Sequence, residues 1–410
     1  MMSYASKVRF LDRSTPPHIV TLILLAGLSA LVMNIFLPSL PNMTAYFDTE
    51  YRLMQLSVAG YLAINAVLQI LIGPVSDKLG RRPVILWGIG GFCVATLGCI
   101  YAPDIYTFLA FRMAQAVIVT AMVLSRAVVR DCVPQEQAAS MIGYVTMGMA
   151  VVPMIGPAFG GILDEVFGWQ SNFWLLFILG LGMLWLSWSD LGETASVSGL
   201  TLTQQFAQYP ELLTSPRFWG YALSAGMSSG AFFAYLGGAP FVGTEVFGMS
   251  PAVLGFFFGA PAIGYFLGNF ISGRYSARIG VNRMVFTGTL INASGIILSM
   301  AVFWAGLGSE WTFFGFMTFV GLGNGMTIPN ATAGMLSVRP HLAGTASGLG
   351  GAIMLGGGAG LSALTGALLV PGSGPWPLLW IMFATAIFAI MAIQLVIWRS
   401  ARLAGLDSAG

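Results

Sequence analysis

The sequence predicts an all-α membrane protein of twelve transmembrane helices, arranged as two pseudo-symmetric six-helix halves. Three observations carry this. Of 410 residues, 57% are hydrophobic and only 8% charged, whereas a soluble chain carries about 25% charged residues. The apolar residues gather into twelve runs near the ~20 residues that cross a bilayer. Two loop patterns recur about two hundred positions apart. The composition excludes an ordinary soluble enzyme, a disordered chain and a nucleic-acid binder. The net charge of +2 is too small to imply an anionic partner.

The chain to Pro17 is polar. Apolar runs follow at 18–40, 54–73, 83–102, 106–129, 138–162, 172–189, 217–240, 252–273, 283–306, 311–334, 342–369 and 376–398. The first is longer than the ~7–15 residues of a signal-peptide core, so it reads as a spanning helix. A barrel would show ~10-residue alternating segments instead. In lipid the backbone must satisfy its own polar groups, which leaves helices. The 53 glycines, nearly twice the usual ~7% share, suit close helix packing.

The longest polar stretch runs from Asp190 to Pro216. It divides the chain into an N-terminal half (1–190), a linker (191–216) and a C-terminal half (217–410). Fourteen of the seventeen Lys and Arg residues fall on the side that holds both termini. The excess of basic residues in inner loops places that side in the cytoplasm.

The loop after the second run reads Gly73-Pro-Val-Ser-Asp77-Lys78-Leu-Gly80-Arg81-Arg82. The loop after the eighth keeps Gly273, Ser276, Arg278 and Gly280 at an offset of 200. Phe36-Leu37 with Pro41 recurs as Tyr235-Leu236 with Pro240. Duplicated halves of this kind hold a substrate between them near the bilayer midplane. No metal or cofactor is expected. Cys93, Cys99 and Cys132 lack ligand spacing, and His18 and His341 lie at the ends of runs. Gly321-x-Gly-x-Gly325 and Gly356 to Gly360 sit inside apolar runs, as packing and bending sites rather than phosphate loops.

Gly73 to Arg82 resembles the loop signature of the major facilitator superfamily, G-x-x-[AS]-D-[RK]-x-G-R-[RK]. In that family the cluster latches the two halves in one conformation. The resemblance makes Asp77 and Arg81 the gate, with Asp131 a further member. In the fifth run, Gly148, Pro153, Gly156-Pro157 and Gly160-Gly161 resemble the family's antiporter motif, a kinked, close-packed helix. Arg112-Met-Ala-Gln115-Ala116 resembles the exporter pattern R-x-x-Q-G, with Ala116 in place of the final Gly. Arg126-Ala-Val-Val-Arg130-Asp131, Asn34-Ile-Phe36-Leu37-Pro38 and Gly168-Trp169 are similar to the Bcr/CflA drug-resistance branch. The resemblance implies multidrug export by proton antiport, a monomer, and a bacterial inner membrane with both termini cytoplasmic.

The first run departs from that branch. It has Asn34 where the branch has an embedded Asp, and Phe36 where it has Tyr. Asn cannot titrate. The runs hold two embedded bases, Arg112 and Arg126, and no acid away from their ends. Neutral or anionic amphipathic substrates, such as phenicols, are therefore expected over cations. Any proton must use Asp77, Asp164, Glu165 or the substrate's own ionisation. Asn34, Tyr61, Asn65, Arg112, Gln115, Arg126, Tyr235 and Asn324 are the candidate substrate-binding residues, since polar groups inside spans either line cavities or bond between helices. An uncoupled facilitator or specific metabolite exporter remains the alternative.

Overall fold

The structure, a computed structural model, describes residues 8–132, 141, 145, 152, 155–195, 209–339 and 342–407. Helices stand at all twelve expected places: α1 (Ile19–Tyr46), α2 (Tyr51–Leu79), α3 (Arg81–Ile100), α4 (Ile105–Val129), α5 (155–167), α6 (Gln170–Asp190), α7 (Pro216–Phe241), α8 (Gly259–Ile279), α9 (Val281–Trp304), α10 (Glu310–Val338), α11 (Ala343–Leu368) and α12 (Trp376–Asp407). No strand occurs among the described residues. Nine helices there are long and apolar enough to cross a membrane. The other three are α5, whose start lies outside the described residues, and α7 and α10, which are rich in Gly, Ser and Asn. Gly148, Pro153, His341 and half of the linker (196–208) also fall outside the described residues.

Local chemistry sets the helix ends. Asp104 caps α4 by accepting from the backbone N–H groups of Tyr106 and Thr107 and from the Thr107 hydroxyl. Those bonds hold its carboxyl below the usual range, the Thr107 hydroxyl bond contributing most. Ser309 and Thr312 form a reciprocal capping box at α10. α1 is not continuous. Its first α-helical stretch ends at Asn34, a 3-10 turn covers Leu37–Ser39, and helix resumes at Leu40. Pro38 has no N–H to give the carbonyl of Asn34, so the break falls where proline requires it.

Contacts divide the chain into two units. The first is 1–204 with 250–256; the second is 205–249 with 257–410. In the first, α4 packs on α1, α2 and α3, and α6 packs on α1 and α3. In the second, α10 packs on α7, α8 and α9, and α12 packs on α7 and α9. Every pairing in the first set recurs in the second six helices later, as a duplicated sequence requires.

Glycines bring the second unit's helices into backbone contact. A Cβ on Gly321 of α10 would lie 1.8 Å from the carbonyl oxygen of Pro261, and one on Gly264 of α8 1.9 Å from that of Thr318. Gly323 faces Gly288 of α9 in the same way. The Gly321-x-Gly-x-Gly325 pattern is thus a packing seam. In α11, Gly358 lies against Phe233, while Gly357 and Gly360 face open space. Gly315, on the same helix as Gly321, has nothing within 4 Å of a Cβ. G321A will therefore lower thermal stability in detergent by about 1–3 kcal/mol, the cost of overpacking. G315A will leave it unchanged or raise it slightly, because Ala favours helix. Parallel unfolding scans of the two variants check this.

Candidate functional site

The first unit encloses a charge. Arg112 of α4 is wholly buried. Its Nη2 donates to the carbonyl of Val32 at 3.0 Å, its Nε to that of Ser57 at 3.2 Å, and its Nη1 to Gln115 Oε1 at 2.7 Å. Gln115 donates on to Thr96 of α3 at 2.8 Å. The guanidinium lies between the rings of Phe36, 4.3 Å away, and Tyr61, 4.2 Å away. Arg112 and Gln115 thereby tie α1, α2, α3 and α4 together. Val32 is free to accept because α1 unwinds just beyond it. No carboxylate is needed. Hydrogen bonds to a charged group contribute about 1.5–3 kcal/mol each, so three exceed the ~2.5–3.5 kcal/mol cost of inserting an arginine. The two ring faces add to this.

At the arginine-rich end of the same unit, α2 turns into α3 at Gly80, which adopts φ +95°, a conformation that favours glycine. Arg81 pairs with Asp77 one turn back and reaches Asp131 at the end of α4, Nε to Oδ2 3.0 Å. The N-terminus of α3 is capped from a distance. Glu193, just past α6, accepts from the backbone N–H of Arg81 at 2.8 Å and of Arg82 at 3.3 Å. Arg82 in turn donates to the carbonyls of Leu191 and Trp188. A Cβ on Gly80 would strike the Glu193 carboxylate. A second acid, Asp190, is fully buried and accepts from the backbone N–H groups of Leu11 and His18 and from the Thr21 hydroxyl. The matching turn of the second unit, Gly280 at φ +89°, has Ala277 in place of Asp77, and among the described residues no ion pair forms there.

At the opposite end of the unit, Asp164 is 5% exposed and accepts from the Asn42 amide at 2.8 Å. Asn172 bridges Ser39 and the Gly160 carbonyl nearby. Glu165 is exposed and accepts from Ser250 and from the backbone N–H of Ala252. The motif glycines are contact points. A Cβ on Gly160 would sit 1.7 Å from the Ile35 carbonyl oxygen, and one on Gly161 2.1 Å from that of Pro251. Gly255 meets the Pro157 carbonyl in the same manner, and Gly156 lies against Leu31.

The second unit has its own polar cluster. The Ser228 hydroxyl donates to Asn324 Oδ1 at 2.7 Å, and Asn292 Nδ2 reaches the same oxygen at 3.0 Å. Tyr235 is buried among Phe232, Phe258 and Phe314, and its hydroxyl has no hydrogen-bond partner.

Of the residues singled out in the sequence, Tyr61, Arg112 and Gln115 come together in one network. Asn34 does not join it: its amide returns to the Ala30 carbonyl, and its Oδ1 is buried without a partner. Asn65 is buried on α2 and Arg126 half-buried on α4. Asp77, Arg81 and Asp131 form one cluster. Sequence reasoning missed Glu193, which read as a linker acid, and Asp190, which read only as the end of the N-terminal half. It also missed Ser228 and Asn292, which bond to Asn324; their polarity inside apolar runs was the available signal.

Known proteins resemble the chain as a whole. A Bacillus subtilis MFS-type transporter of uncharacterised activity is 30% identical over 90% of this chain and 92% of its own. A chloramphenicol resistance protein of Pseudomonas aeruginosa is 29% identical over 90% and 88%. Multidrug resistance protein D of Escherichia coli is 27% identical over 88% and 91%. Among solved structures, a bacterial homologue of the human lysosomal transporter Spinster superposes with a TM-score of 0.72 over 93% of this chain and 96% of its own; at 19% identity it speaks to the fold alone. The family model for the Major Facilitator Superfamily matches residues 22–359. The chain is a multi-pass bacterial membrane transporter, not an enzyme, and belongs to the Major Facilitator Superfamily.

Proposed function

We propose that the protein exports small amphipathic compounds, drugs among them, by alternating access. Its near-full-length relatives named for chloramphenicol and multidrug resistance support this reading. The observation that carries it further is the charge of the interior. Arg112 keeps a positive charge on neutral acceptors, Asn34 replaces a titratable acid, and the spans hold no acid away from their ends. Such an interior disfavours cations, so neutral or anionic molecules of the phenicol kind are the expected substrates. Asn34, Tyr61, Asn65, Arg126, Tyr235 and Asn324 line the path; Arg112 and Gln115 supply the potential and brace the break in α1.

Residues 1–190 rock against 217–410 in this scheme, with the arginine-rich side cytoplasmic. Asp77, Arg81 and Asp131 act as the gate, and Gly156, Pro157, Gly160 and Gly161 as the pivot. The protein works as a monomer and is driven by an inward proton flow. Asp164 is the proton carrier best supported. It is buried beside a neutral amide, whereas Asp77 is ion-paired and Glu165 is exposed.

Proteoliposomes holding a pH-sensitive dye test this directly. With an imposed pH gradient, a neutral phenicol or an organic anion will drive proton movement and a lipophilic cation will not. D164N will abolish the proton signal and E165Q will keep it. A response to the cation would overturn the charge argument. Drug flux without proton movement selects the second reading, an uncoupled facilitator or specific metabolite exporter, which Asn34 favours. R112K retains the charge but cannot reach Val32, Ser57 and Gln115 together. Losing one charged hydrogen bond, about 1.5–3 kcal/mol, will cut export by roughly tenfold or more. D77N will cut it similarly by removing one of the two carboxylates that hold Arg81. Membrane abundance measured alongside separates lost function from lost protein.

A further inference from the structure

α7 begins at Pro216, behind the cap of Ser215, and lies against α12. The two helices touch closely because a Cβ on Gly220 would meet Val396 at 2.2 Å and the Ala392 carbonyl at 3.2 Å. Their small residues leave a groove of about 510 Å³ between the helix ends, lined by Arg217 and Trp219 from α7 and by Trp398 and Arg399 from α12. Its polarity is graded along the helix axis. The arginines stand at one end. Leu223, one turn from Trp219, and Leu395, one turn from Arg399, are both exposed and both line the groove. Trp219 donates its indole N–H to the Leu213 carbonyl at 2.8 Å, which fixes the ring as a wall.

We propose that this groove binds an anionic phospholipid, its phosphate between Arg217 and Arg399 and its first acyl carbons against Leu223 and Leu395. Among the described residues neither arginine has an ion-pair partner, and Arg217 Nε is shielded from solvent with no hydrogen-bond acceptor. Two guanidinium groups offer the donors a phosphate takes up in pairs. Tryptophans at this level suit the headgroup boundary of a bilayer, and basic pockets between helix ends are where acidic lipid headgroups are held. The gradient from charge to leucine matches a lipid along its length, which a free phosphate ion would not use.

Native mass spectrometry of the full chain in detergent tests the site, titrating phosphatidylglycerol against phosphatidylcholine. The wild type will hold phosphatidylglycerol preferentially. The double variant R217Q/R399Q will weaken that binding by roughly thirtyfold, at the scale expected for two basic side chains near a lipid surface. R217K/R399K will keep most of it. R283Q, which removes an exposed arginine elsewhere on the same unit, will leave it unchanged. Should the double glutamine variant not fold, R399E at its exposed position will show the same loss. Equal affinity for both lipids, an unchanged R217Q/R399Q, or an equal loss in R283Q would each overturn the proposal. Glycerol phosphate competing as well as the intact lipid would overturn the acyl half of it.

Discussion

Arg112 carries a charge into the part of the first unit least able to solvate it, and the surrounding structure is arranged to tolerate that. Helical backbone normally leaves no carbonyl to spare. Here the interruption of α1 at Pro38 and the carbonyl of Ser57 supply two acceptors, and Gln115 supplies the third, itself held by Thr96. The ring faces of Phe36 and Tyr61 close the remaining sides. The break in α1, the four-helix contact and the buried cation therefore depend on one another. A straight α1 would withdraw the Val32 carbonyl, and a neutral residue at 112 would strand the acceptors that the break exposes.

The arginine-rich end of the same unit solves a different problem, the open helix terminus. Gly80 gives a turn of one residue between α2 and α3, which leaves the first N–H groups of α3 without intrahelical partners. Glu193 takes two of them, and its negative charge sits at the positive end of the helix dipole. Asp190 does the same for the approach to α1. The start of the segment after α6 is thus bonded to the same turn that holds Asp77, Arg81 and Asp131. Any motion that opens this cluster must also loosen Glu193, which couples the linker to the gate under the proposed mechanism.

The fold was legible because lipid imposes a simple rule: long apolar runs are helices, and their number and the loop charges follow. The break in α1 was not read from the sequence, which shows 18–40 as one span, although Pro38 was the available signal. The site was legible only in part. The charged signature and the buried arginine stand out by residue type. Arg112's main partners do not, because Val32 and Ser57 contribute backbone carbonyls that leave no mark in the side-chain pattern. Glu193 was hidden for another reason. Its role is set by where the chain returns after α6, a long-range fact that a polar linker does not encode locally. The groove on the second unit was equally hidden, since it needs Gly220 and Val396 to meet across 176 positions.

The lone position of Asn34 bears on how such an interior can cycle. Its amide is satisfied by Ala30, but its carbonyl oxygen is buried and unbonded. A buried acceptor without a donor costs about 1–3 kcal/mol. Under the proposed mechanism, that cost is recovered by a ligand that brings a hydroxyl or amide N–H to Asn34. An aspartate there would instead demand a cation or a proton on every cycle. With Asn34, binding under the proposed mechanism is set by hydrogen bonding and apolar contact, and the charge of Arg112 is a constant background rather than a variable. Under the proposed mechanism proton coupling enters through a group off this position, and Asp164 is the candidate because it is buried and hydrogen-bonded to Asn42 on the helix that resumes after the α1 break.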